Sequence, residues 1–496
     1  MLHIRVVKTN SGASAVQVIR YEKRKRIILK HIGSAHTEDE ILGLRKIAEQ
    51  VVLDFNRQLL LFSDLQHSKI LDLSQCEFLG VHHTFFYEII LELFDELGLK
   101  GIGDSLFRDL IIIRILEPAS KLRSIELLET YFGIKHRRQN YYKVAPSWFL
   151  LKEKVEYRIT EFAQKQYHFK FDMLFYDVTT LYFETLEADE LRKPGFSKDG
   201  KSQQPQILVA LMVTKEGFPI NYEIFAGNTF EGNTIIPVIQ AFIKKHNVQD
   251  FTVIADAAMI STTNVEELQK HKINYIVGAR LGNISTALLE QIDQQLARED
   301  GKNIRINTPN GYLICSYSSL RYRKDKYEME KQIQKAKLVI EKPSKNKKVK
   351  FTTSKDEKIT LNSSLIDKTK KLLGVKGYYT DLNEKIATNN LIIERYHELY
   401  KIEQTFRISK NDLQTRPIFH FKEEPIKLHL LMSFIALVIS KNIELKTNTS
   451  IKRFITDCKK ITDARMLNKL TNKEIKIRTP INPKIMEYIS KLNLSH

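Results

Sequence analysis

Met173-Leu174-Phe175-Tyr176-Asp177 and, further along, Phe251-Thr252-Val253-Ile254-Ala255-Asp256 are two short apolar runs, each closed by an aspartate. A run of four or five such residues, rich in aromatic and β-branched types, reads as a buried strand. Residues 207–213 read as a second strand after the first run, and 218–225 as a third that alternates apolar and polar. Residues 234–245 are helical in period, as are 263–271, and Tyr275-Ile276-Val277 is a fifth strand. The order is three strands that can form an antiparallel meander, then helix, strand, helix, strand.

That order matches an α/β fold of the ribonuclease-H-like type, a mixed sheet flanked by helices. The flanks read differently. Residues 2–30 alternate around the turn Asn10-Ser11-Gly12, a hairpin pattern. Thr37-Glu38-Asp39-Glu40 is a capping box that starts a helix running to about Leu61. From Thr84 to about Phe169 apolar residues recur at helical spacing. Residues 285–376 are mixed, with a long charged helix over 321–341 and the lysine-rich Lys345-Asn346-Lys347-Lys348 in an exposed loop or hairpin. A strand over 377–380 precedes one strong helix from Asn389 to about Lys410. The apolar run 428–440 is too short to span a bilayer comfortably and reads as a buried helix. The expected division is 1–165, hairpin then helical; 166–284, the first part of the core; 285–376; 377–445, the last part of the core; and 446–496, which holds 12 Lys and Arg against 4 Asp and Glu.

The whole chain has 496 residues and a formal charge of +19, which points to a polyanion, nucleic acid first. Cys76, Cys315 and Cys458 are far apart and odd in number, against a disulfide framework or a zinc site and in favour of a reducing cytoplasm. The N-terminus has no apolar signal core.

Asp177 and Asp256 sit where strands are expected to stop, and carboxyl ends of strands in open α/β sheets are where sites are built. Two carboxylates side by side repel unless a cation lies between them, and a hard divalent ion takes oxygen ligands. Two such ions activate a nucleophile and stabilise a leaving oxygen in phosphodiester displacement. Each Asp can equally cap the element that follows its strand. A third acid is sought on a helix: Tyr396, Glu403 and Lys410 are spaced by seven, two helical turns, and Arg407 follows Glu403 by four. One stripe would then carry a carboxylate for metal and cations for phosphate. An ordinary amphipathic surface helix with a Glu–Arg pair has the same pattern.

Tyr396, Glu403 and Lys410 resemble the signature of the IS4-type insertion-sequence transposases, in which an Arg falls where this chain has Leu399. Ile402-Glu403, Phe406-Arg407 and Lys410 resemble the IS1634-like branch, as do Gly195 to Gly200, Pro205-Gln206-Ile207, Gly227-Asn228-Thr229, Ala255 to Met259 and Arg416-Pro417-Ile418. The resemblance covers about residues 170–440. It implies a DDE transposase with Asp177, Asp256 and Glu403 as catalytic metal ligands. The cofactor would be Mg²⁺, with Mn²⁺ as substitute and two ions expected. Tyr396 and Lys410 would contact DNA phosphates, and 285–376 would be an insertion domain. Partners would be double-stranded DNA, element ends and target, bound by a homodimer, with no membrane. A structure-specific nuclease on the same fold and an inactive DNA-binding relative are the rival readings.

Overall fold

A computed structural model gives the fold and describes residues 2–22, 25–56, 75–197, 200–248, 251–259, 261–309, 311–341, 349–355, 358–469 and 471–495. Lys198-Asp199, the helix end expected near Leu61 and the run Lys345 to Lys348 lie outside the described residues. The chain packs as two compact units. One holds Met1–Ile90, Glu126–Lys135 and Arg453–His496; the other holds Leu91–Ile125 and His136–Lys452. The unit boundaries differ from the five-part division, because both chain ends share one unit.

In the first unit, strands Leu2–Lys8, Ser14–Glu22 and Lys25–Ala35 form an antiparallel meander, one strand more than the expected hairpin. Helix Glu38–Asn56 packs on it. The expected capping box is present: the Glu40 carboxylate accepts the N–H groups of His36 (3.1 Å) and Thr37 (3.2 Å), and Thr37 Oγ1 accepts that of Glu40 (3.4 Å). The basic C-terminal region is folded too. Its strands Asp463–Asn468 and Lys473–Arg478 pair with each other, and the former pairs with Cys76–His82. Arg478 ties this sheet together by ion pairs with Asp463 and Glu88, both 2.7 Å.

The second unit is built on an eight-stranded sheet. Its strands are β1 (Met173–Tyr182), β2 (Gln206–Val213), β3 (Pro219–Ala226), β4 (Thr252–Ala255), β5 (Asn274–Ala279), β6 (Asn303–Thr308), β7 (Gly311–Tyr317) and β8 (Val375–Thr380). Across the sheet they run β6-β7-β8-β5-β4-β1-β2-β3. Strands β1, β4 and β5 are mutually parallel, β2 is antiparallel to β1 and β3, and β6 to β8 add an antiparallel extension beyond β5. All eight residues of β2 are buried, which is why it reads as a solid apolar run. Strands β6 and β7 were not legible in the mixed pattern of 285–376.

The helices that matter below are α1 (Ser105–Leu116), α2 (Ile235–His246), α3 (Asn389–His397), α4 (Tyr400–Arg407) and α5 (Glu423–Thr447). Helix α5 extends well past the expected 428–440. By length and composition alone it could cross a membrane, yet 89% of its apolar window is buried inside the protein. It packs on α1 and β3 and is a core helix.

Three sequence motifs meet at one brace. Gln206 and Lys193 exchange backbone hydrogen bonds (3.2 and 3.3 Å), and Gln206 Nε2 donates to the Phe196 carbonyl (2.8 Å) and the Gly227 carbonyl (3.3 Å). A Cβ on Gly227 would collide with the carbonyl oxygens of Gln206 and Lys193, and one on Gly195 with that of Gly227. These glycines let three backbone segments touch. Gly227→Ala is expected to cost about 1–3 kcal/mol of stability, measured by denaturant unfolding, because the strands must part to admit the methyl group.

His246 packs on Phe242 (ring centres 4.5 Å apart) and Phe171 (5.4 Å). Burial, then the adjacent Lys245 charge, pushes its pKa from 6.5 down to about 4. The folded state therefore holds it neutral. Its contribution is whole above pH 6.5 and is lost as the pH falls from 6.5 towards 4. His246→Gln should flatten the fall of unfolding free energy over that window.

Candidate active site

The parallel register of β1 and β4 ends at the pair Tyr176–Ala255. Asp177 and Asp256 are the next residues, so two carboxylates leave neighbouring strands spaced roughly 4.8 Å apart. The expectation that β1 stops at Asp177 is corrected. The strand continues to Tyr182, because β2 keeps pairing along its other edge, from Asp177 with Leu211 to Tyr182 with Gln206. Strand β4 does stop, and Asp256 leads into a single 3₁₀ turn, Ala257–Met259. Asp177 is half-buried and accepts the Val178 N–H at 2.8 Å; Asp256 is exposed and accepts that of Ala257 at 2.6 Å.

The single helix expected over 389–410 is also corrected. It breaks between α3 and α4 at Glu398-Leu399, and Ile408–Asp412 is a π-helical turn. The cause is tertiary anchoring. Thr405 Oγ1 donates to the Gly217 carbonyl (2.9 Å) and Lys401 Nζ to the Lys215 carbonyl (2.8 Å), clamping α4 to the β2–β3 turn. Leu399, where the family signature has Arg, is buried at the break and anchors it. Tyr396, Glu403 and Lys410 therefore lie on three helical segments instead of one stripe.

Tyr396 and Glu403 nonetheless share a neighbourhood with Asp256. The Tyr396 hydroxyl donates to Asp256 Oδ1 at 3.3 Å. It fits because residue 278 is glycine: a Cβ there would collide with that hydroxyl. Burial first, then the Asp256 carboxylate and its hydrogen bond, pushes the phenol well above its usual range. The charge of Glu403 acts on the same phenol.

Lys376, at the second position of β8, was missed by the sequence reading. Its Nζ lies 4.8 Å from the ring centre of Tyr396 and 5.5 Å from that of Tyr378. Burial, and then Arg321, lowers its pKa, while Asp256 and Glu403 hold it up. One half-buried ammonium thus lies in the field of both acids. A Lys-Gly pair before two tyrosines carries no sequence signature, and the reading began the strand one residue too late to include it.

Arg407 is exposed, and its charge acts on Lys441 and Asp412. Lys410 is half-buried within the π turn. Tyr396 meets Asp256, Lys376 lies against the Tyr396 ring, and Asp177 leaves the strand next to that of Asp256. Among the described residues no three His, Cys, Asp or Glu side chains stand close enough to hold a metal ion. The oxygen donors suit a hard divalent ion in kind, but Asp177, Asp256 and Glu403 do not close into one three-carboxylate set.

The model of the transposase DDE domain family matches residues 170–439. No curated protein sequence matches the chain. Among solved structures, the cryo-EM structure of the piggyBac transposase synaptic complex with hairpin DNA is 13% identical, covers 75% of this chain and 70% of its own, and has a TM-score of 0.35. The family match takes in both strand-borne aspartates, the helix-borne glutamate and more than half of the sequence, and the chain belongs to the transposase DDE domain family.

Proposed function

We propose that this protein is a DNA transposase that cleaves the ends of an insertion element and joins the freed 3′-OH to target DNA, and that Asp177, Asp256 and Glu403 are its catalytic carboxylates. The observation that carries the reading is the pairing of Asp177 and Asp256 on adjacent parallel strands, with Tyr396 bonded to Asp256 and Lys376 in the field of both Asp256 and Glu403. The strand order β3-β2-β1-β4-β5, with only β2 reversed, supports a ribonuclease-H-like core. Strands β6 and β7 with helix Ser319–Glu341 are the counterpart of the insertion domain. The motif set supports the IS1634-like branch of the IS4-type enzymes.

Asp177, Asp256 and Glu403 would hold Mg²⁺, or Mn²⁺ in its place. When bound, the metal supplies charge at the scissile phosphate. The chain's own groups position the DNA and stabilise charge. Lys376 places its ammonium against the Tyr396 ring, in the field of Asp256 and Glu403, where it would neutralise a phosphate oxygen that approaches them. Tyr396 is held by Gly278 and Tyr378 so that its hydroxyl stays on Asp256. Arg407 and Lys410 extend the cationic surface along the DNA. The unit that holds both chain ends recognises element ends, and a homodimer acts on the pair.

Labelled DNA carrying the element's ends, incubated with Mg²⁺, tests this. Asp177→Ala, Asp256→Ala and Glu403→Ala should each slow cleavage by roughly 10²–10³-fold or more while DNA affinity stays within a few-fold. Wild-type cleavage by any of the three would remove that residue from the site, and cleavage with no joined product would favour a nuclease. Lys376→Met should lower the single-turnover cleavage rate with the fold intact, and Lys376→Arg should recover part of it. Equal rates for wild type and Lys376→Met would remove Lys376 from the centre.

A further inference from the structure

A second cation-rich place lies away from the carboxylates. A cavity of about 240 Å³ opens between α1, the segment after it and the chain that leads into α5. Its basic lining is Arg114, Lys121, Arg416, His420 and His429, with Tyr141 on one wall, and no Asp or Glu among the described residues lines it. A water claims only roughly 30 Å³, so the space admits a tetrahedral oxyanion with its waters.

The hydrogen bonds show what charge is present. Arg114 donates to the Leu413 carbonyl at 3.2 Å and through Nη2 to His429 Nδ1 at 3.3 Å. A guanidinium cannot accept, so Nδ1 is the acceptor. His429 Nε2 therefore carries the proton, and it donates to the Thr415 carbonyl at 3.1 Å. That imidazole is neutral and brings no counter-charge. His420 packs tilted against it with ring centres 5.4 Å apart, and the charges of Lys121 and Arg114 both act on His420. The Lys121 ammonium sits 4.9 Å from the Tyr141 ring centre. Burying cations without an anion is costly, and the groups respond as expected. Burial pushes Arg114 down to about 10 and His420 to about 4, and it lowers Lys121 and His429 as well. An anion in the cavity reverses each of these.

The position says which anion. Arg416 lies 5.8 Å from the ring centre of Tyr182, and Lys201 lies 5.3 Å from the same ring. Tyr182 is five residues beyond Asp177 on β1, roughly 16 Å along the strand. Arg416, which lines the cavity, thus reaches the far end of the strand that carries Asp177. We propose that this cavity is a phosphate subsite that grips a backbone phosphate of the bound DNA several nucleotides from the scissile bond, with Arg114, Lys121 and Arg416 as the gripping cations. The proposal rests on the transposase reading.

Binding of a labelled element-end duplex, measured over a range of salt for wild type, Lys121→Gln, Lys121→Arg and Arg114→Lys, tests it. Each phosphate contact contributes about 0.9 to the slope of log affinity against log salt. Lys121→Gln should lower that slope by about this amount on every duplex sequence, and Lys121→Arg should restore it. An unchanged slope in both Lys121→Gln and Arg114→Lys overturns the proposal. Thermal stabilisation of wild type, but not of Lys121→Gln, by inorganic phosphate alongside unchanged DNA slopes means a free-anion site and also overturns it. A wild-type protein that binds no duplex sinks the transposase reading and this proposal together.

Discussion

The parallel pairing of β1 with β4 is the constraint on which the rest depends. It brings Asp177 and Asp256 side by side at the point where the parallel ladder ends. Two like charges at that spacing are unfavourable unless something positive stands near them. The protein supplies positive charge close to Asp256 in Lys376, and it places Glu403 in the same field. Everything that fixes the register of β1, including the solidly buried β2 and the close approach of backbones at Gly195 and Gly227, serves to hold that pair.

The neighbouring elements act on this pair through contacts that are individually modest. Gly278 leaves room for a phenol, the phenol reaches a carboxylate, and an ammonium lies over the phenol ring. The break between α3 and α4 lets Tyr396 stay by Asp256 while α4 is clamped to the β2–β3 turn. A straight helix would have to give up one of these. The same sheet extends through β6 to β8, and β8 carries Lys376.

Much of this was legible in sequence where burial dictates composition. The strands containing Asp177 and Asp256 are apolar because both faces of the sheet are covered, and the crossover helices between β3, β4 and β5 follow from helical period. The stop of β1 was misread because a strand's length is set by its partner's edge, and Gln206 to Ala210 pair with residues beyond Asp177. The break at Glu398-Leu399 was hidden because both residue types favour helix, and a bond from Thr405 to a distant carbonyl decides the matter. Lys376 was invisible because its role comes from facing Tyr396, Asp256 and Glu403, each brought in by a different element.

The central claim is that the Asp177–Asp256 pair, completed by Glu403, takes divalent metal when DNA is bound. Electron paramagnetic resonance of Mn²⁺ titrated into the protein–DNA complex measures it directly. The account predicts tight Mn²⁺ binding by wild type and its loss in Asp256→Asn at unchanged DNA affinity. Equal Mn²⁺ binding by wild type, Asp177→Asn and Asp256→Asn would contradict it.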